Sequence, residues 1–130
     1  GEFPANTTPW QQAALRYDLE LEWIDASAFD GGDGLEQLEA TLKGGGVRMV
    51  AVSAVQFNTG LRMPVESMAQ LTKQYGAEIF VDAIQAFGAT PFCAAPLGGC
   101  SRLLNAPCTA PVTFVTPAAA VVAHILAPEE

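Results

Sequence analysis

Glu78-Ile79-Phe80-Val81-Asp82 is a short apolar run that ends in a carboxylate, and Ala83-Ile84-Gln85-Ala86-Phe87-Gly88 follows at once. The run has the length and side-chain types of a buried strand, bounded by Gly76 and Gly88. It therefore delivers Asp82 to the C-terminal end of a strand and puts the Gln85 amide three residues beyond. In open α/β sheets, ligands bind at that end of the strands. A carboxylate beside Ile, Phe and Val has to be answered by a partner, because an unpaired buried charge is costly. Two readings of the pair follow. Asp82 caps the turn leaving the strand while Gln85 is merely solvated, or both side chains meet a ligand there.

The surrounding segments read as βα repeats. Pro9 opens a helical stretch through Tyr17, with Ala13, Ala14 and Tyr17 at helical spacing. Leu19 to Ile24 alternates apolar and acidic residues, the period of a half-exposed strand. Asp33 precedes Leu35, Leu38 and Leu42, an acid-capped helix that ends at Gly44-Gly45-Gly46. Val47 to Val52 is a second apolar strand, and Pro64 opens a helix with Met68, Leu71, Thr72 and Tyr75 on its stripe. Strands are thus expected near 19–24, 47–53 and 78–82, and helices near 34–43 and 64–75. Strand, helix, strand at this spacing predicts parallel pairing with right-handed crossovers.

Composition limits the function classes. The chain has 130 residues, 50% hydrophobic and 15% charged, which suits a globular core. Its net charge of −8, with six scattered Lys and Arg residues, leaves no basic stripe for phosphates and argues against nucleic acid. Gly1-Glu2-Phe3 is neither basic nor apolar, so no secretory signal is expected and a cytoplasmic location is. Val112 to Ala127 is apolar but broken by Pro117 and too short for a membrane span. Cys93, Cys100 and Cys108 lack the paired spacing of zinc ligands, so no metal site is expected. His124, in an Ala/Val run, reads as structural.

Val81 to Pro91 (Val-Asp-Ala-Ile-Gln-Ala-Phe-Gly-Ala-Thr-Pro) resembles the cofactor strand of the class V aminotransferase and cysteine desulfurase superfamily. Two more blocks carry the same resemblance, to its isopenicillin N epimerase-like branch: Gly1-Glu2-Phe3-Pro4-Ala5-Asn6-Thr7-Thr8-Pro9-Trp10, and Val52-Ser53-Ala54-Val55-Gln56-Phe57-Asn58-Thr59-Gly60-Leu61-Arg62. Three blocks in one order and spacing cover about residues 1–92. The resemblance implies part of the three-layer α/β large domain of a fold-type I enzyme that uses pyridoxal 5'-phosphate (PLP). It implies that Asp82 pairs with the pyridinium nitrogen and that Gln85 touches the ring hydroxyl. A charge-assisted contact of that kind is worth about 1.5–3 kcal/mol. It also implies a side-chain amide near the ring or the substrate from the loop after the second strand, with Gln56 the candidate and Asn58 the alternative. An ordinary polar loop closing at Gly60 is the plain reading of that segment. Arg62 reads as solvated, with a substrate carboxylate as its other possible partner.

Beyond Thr90 the resemblance stops. The family's Schiff-base lysine would fall near Cys108 in an ungapped register, or at Arg102 in a gapped one. Only a deprotonatable primary amine can do that work, and guanidinium cannot replace it. Lys43 and Lys73, the only lysines, lie on helices expected to face solvent. No catalytic residue is assigned. Residues 93–130 form a Pro/Ala/Cys-rich tail, read either as an altered reading frame or as a divergent sequence that lost the catalytic strand.

The sequence thus reads as a fragment of a PLP-dependent enzyme acting at the α-carbon of an amino acid, of aminotransferase, epimerase or desulfurase type, and inactive without its lysine. The resemblance places the phosphate-binding turn and the ring-stacking aromatic or histidine upstream of Gly1, and implies a homodimeric parent with a small-molecule amino-acid substrate and no membrane partner. The alternative is a non-catalytic α/β domain of flavodoxin-like or receiver-like type, or a relative that binds a partner through a sheet edge.

Overall fold

The computed structural model describes residues 2–90 and 121–124. Helix α1 spans Pro4–Tyr17, strand β1 Glu20–Glu22, helix α2 Gly34–Gly44, strand β2 Val47–Ser53, helix α3 Val65–Gln74, strand β3 Glu78–Asp82 and strand β4 Val121–His124. A short 3-10 helix, Ala26–Phe29, precedes α2. The two later helices and the strands β2 and β3 fall where the apolar periodicity puts them. Helix α1 begins five residues before Pro9, at Pro4, because a proline at the first helical position gives up only an N–H that has no intrahelical partner. Pro9 then sits inside the helix, where its missing N–H leaves the Ala5 carbonyl without its i→i−4 donor. Asp18 ends α1 in the left-handed conformation at φ 54°, and its N–H donates to the Ala14 carbonyl.

Strands β2 and β3 pair in parallel, from Met49 beside Glu78 to Ser53 beside Asp82. Strand β1 belongs to the same sheet but does not pair with them directly. Strand β4 lies between β1 and β2 and pairs antiparallel with both, giving the order β1-β4-β2-β3. Strand β1 still runs in the direction of β2, as a βαβ connection through α2 requires. What sequence spacing missed is Val121-Val122-Ala123-His124, a strand opened by two β-branched residues within the segment read only as a Pro/Ala/Cys-rich tail. The remaining tail residues, including Cys93, Cys100, Arg102 and Cys108, lie outside the described residues.

Helices cover both faces of the sheet. Leu38 and Leu42 of α2 and Met68 of α3 pack with Val50 and Val52 of β2, and Ile79 and Val81 of β3 lie against the same cluster. On the other face Ala51 is buried with Trp10 of α1, Leu21 and Phe80. The Trp10 and Phe80 rings meet edge to face at 5.5 Å, a geometry their quadrupoles favour. The result is a helix–sheet–helix sandwich. Among the described residues no helix is long and apolar enough to cross a membrane.

Candidate cofactor-binding edge

Side chains alternate across a strand, so Ser53 and Asp82 share the face of Ala51 and Phe80, the one that α1 covers. Asp82 is 3% exposed, and its Oδ1 accepts the Ile84 N–H at 2.9 Å. The turn-capping reading of Asp82 therefore holds, and the carboxylate also sits at the C-terminal end of β3. The chain then winds tightly. Ala83 accepts the N–H groups of Ala86 and Phe87, Ala86 accepts that of Thr90, and Ala86 itself is buried as the turn's anchor. Gln85 is half-buried on this turn and forms no hydrogen bond among the described residues.

The loop after β2 closes on itself. Gln56 N–H donates to the Leu61 carbonyl and Gly60 N–H to the Gln56 carbonyl, both at 2.9 Å. Gly60 makes this closure possible at φ 73°, a conformation that β-branched and bulky residues avoid. The bridge between Val55 and Arg62 completes the small hairpin. Asn58 and Thr59 are exposed at its tip, and Asn58 forms no hydrogen bond among the described residues. Gln56 is turned inward instead and is 1% exposed.

What draws Gln56 inward is a residue that motif spacing did not single out. The Glu2 carboxylate accepts the Ser53 hydroxyl at 3.0 Å and, through its other oxygen, the Gln56 side-chain amide. Glu2 precedes α1, so the helix that covers this face also brings a second carboxylate to the strand ends. Beside these residues, Phe3 and Phe57 make an edge-to-face pair at 5.2 Å, both rings partly exposed. The structure thus joins Glu2, Ser53 and Gln56 by hydrogen bonds at the sheet edge where Asp82 stands beside Ser53, and it leaves Gln85 and Asn58 outside that hydrogen-bonded group. No local signal could have found Glu2, whose partners lie 51 and 54 residues away.

A separate cavity of about 350 Å³ lies on the opposite side, between the start of α3 and the turn after β3. Ala54, Met63, Val65 and Ala86 line it, with Arg62 and Thr90 among its polar groups. Both lysines are exposed on α2 and α3, and Lys43 forms an ion pair with Glu39 at 3.2 Å.

A parallel β2–α3–β3 unit with helices on both faces of its sheet defines an α/β domain, with a buried carboxylate at the end of its second strand. The chain matches the aminotransferase class-V family over residues 1–98, and it belongs to that family. It is 34% identical over 87 residues to a probable cysteine desulfurase of Pyrococcus abyssi, covering 67% of this chain and 21% of that protein. It is 36% identical over 85 residues to cysteine desulfurases of Salmonella newport and Salmonella typhimurium, covering 65% of this chain and 20% of each relative. The chain thus spans about a fifth of the length of these relatives. No solved structure matches it.

Proposed function

We propose that this chain is the cofactor-strand portion of a PLP-dependent enzyme acting at the α-carbon of an amino acid, without the lysine that would anchor the cofactor. The observation that carries the reading is Asp82, a buried carboxylate at the C-terminal end of a parallel strand in a chain of the class-V family. When bound, PLP supplies an electron sink for carbanions at the α-carbon. The residues here suit its ring. Asp82 would offer the ring a fixed negative charge able to hold a proton on its nitrogen, and the Ile84 N–H on its Oδ1 orients the carboxylate. The buried Gln56 carbonyl oxygen is an acceptor without a protein donor among the described residues. Phe3 and Phe57 add aromatic surface at the same edge. Gln85, half-buried on the turn, is the residue for the ring hydroxyl, and Asn58 at the loop tip faces the substrate side.

Neither Lys43 nor Lys73 reaches this edge from its exposed helix position. Retention of the ring contacts without an anchoring amine gives weak, reversible binding and no turnover. Desulfurase, aminotransferase and epimerase chemistry share these ring contacts, and fold does not choose among them. A cytoplasmic, homodimeric parent remains the proposal for the longer protein, with an amino acid as its small-molecule substrate.

Pyridoxamine 5'-phosphate tests the ring site, because it carries no aldehyde and labels no lysine. Quenching of Trp fluorescence should report saturable binding that falls about tenfold in Asp82→Asn, the size expected for one charge-assisted hydrogen bond. Equal binding by both proteins would sink the assignment of Asp82.

A further inference from the structure

The Gln56 side chain is 1% exposed, and its carbonyl oxygen has no hydrogen-bond partner among the described residues. Its orientation is not free. An ionised carboxylate accepts only, so the NH2 end of Gln56 must face Glu2 and the carbonyl end must turn away. The same Glu2 carboxylate takes the Ser53 hydroxyl, which fixes its plane from a strand end. A buried acceptor left open costs stability, and a native fold normally satisfies it. This one is left open beside Ser53, which sits next to Asp82 in the β2–β3 register.

We propose that Glu2 is a positioning residue that locks the Gln56 amide with its carbonyl oxygen presented to an N–H donor of the bound ligand, namely the amine carried by the amino form of the cofactor or by the substrate. The inference rests on the cofactor-edge reading of Asp82 and adds to it a second acceptor and the group that orients it. The acceptors divide the work. Asp82 takes the ring N–H, and Gln56 takes an amine N–H displaced from the ring. Without Glu2 the Gln56 amide rotates freely, and its NH2 end repels the same donor for half of its orientations. Glu2→Gln has a more specific consequence. The new amide can donate to the Gln56 carbonyl and so fills the acceptor that the ligand needs.

The test is a titration of the 15N-labelled chain with pyridoxamine 5'-phosphate. The Gln56 side-chain amide signals are assigned by their loss in Gln56→Met. In the wild type these signals should be sharp in the free chain and shift on saturation. Affinity should fall several-fold, on the order of fivefold to tenfold, in Glu2→Ala, Glu2→Gln and Gln56→Met. The double variant Glu2→Ala/Gln56→Met should bind no more weakly than Gln56→Met, because a group that acts through another loses its effect when that other is gone. Additive losses, or Gln56 signals that stay put during saturable, Asp82-dependent binding, overturn the role of Glu2 and leave the Asp82 site standing. Binding that is insensitive to Asp82→Asn, or absent at millimolar ligand, overturns the cofactor reading and this inference together. Glu2 precedes the first helix and lies outside every helix and strand, so far-UV circular dichroism of its variants should match the wild type.

Discussion

Ser53 and Asp82 stand side by side at the ends of two parallel strands, and the Ala54 N–H donates to the Asp82 carbonyl at 2.7 Å. The backbone of β3 is therefore pinned at the residue whose side chain carries the charge. That rigidity places the carboxylate by strand geometry and not by a loop.

Stability should separate the structural role of Asp82 from its charge. Asp82→Asn keeps an oxygen for the Ile84 N–H, so unfolding in urea should change by less than about 1 kcal/mol. Asp82→Ala removes the acceptor of that cap and should cost about 1–2 kcal/mol. An alanine variant as stable as wild type would mean the cap contributes nothing.

Gly34 opens α2 against the 3-10 helix. A Cβ there would come within 2.7 Å of the Phe29 ring and 2.9 Å of the Ala28 carbonyl carbon. The ring can move, but the backbone atom cannot do so cheaply. Gly34→Ala should destabilise by about 1–3 kcal/mol, whereas the thermal midpoint of Gly44→Ala, where a Cβ meets nothing within 4 Å, should not fall.

Helices α2 and α3 are tied by a surface triad in which Glu39 accepts the Tyr75 hydroxyl at 2.8 Å and pairs with Lys43. The Tyr75 hydrogen bond, then Lys43, holds the Glu39 carboxyl below its usual 4.5, and Glu39 pushes the Tyr75 hydroxyl above 10.0. Lys43 is raised above 10.5, again by Glu39. The Glu39 contribution is present above its unfolded value and lost as pH falls through the lowered folded one. The Tyr75 and Lys43 contributions are present below their unfolded values and lost as pH rises through the raised folded ones. Tyr75→Phe should flatten the stability profile at both the acid and the alkaline end. An unchanged alkaline limb would contradict the Tyr75 assignment.

Much of this edge was legible in the chain because local chemistry forces it. A run such as Glu78–Asp82, between Gly76 and Gly88, has the length and residue types of a strand, and its parallel pairing with β2 follows from the intervening helix. The side-by-side placement of Ser53 and Asp82 came from the structure, because neither motif specifies a register. Glu2 was not legible, because its contacts with Ser53 and Gln56 depend on how α1 lies across the sheet. The start of α1 was misplaced because Pro9 looks like a first-turn proline, when Pro4 holds that position. The placement of β4 between β1 and β2 follows from a strand pairing more than seventy residues distant in sequence, which periodicity does not encode.

The account holds that the ring contacts persist while the anchoring amine is missing. Borohydride reduction of the chain after incubation with PLP, followed by peptide mapping, measures this directly. Exposed amines react slowly with the aldehyde on any protein, so colour alone decides nothing. The account predicts diffuse, substoichiometric labelling of Lys43, Lys73 and the chain's α-amino group, unchanged in Asp82→Ala. Stoichiometric labelling of one lysine that disappears in Asp82→Ala would contradict it, because that lysine would then be an anchor positioned by the Asp82 edge.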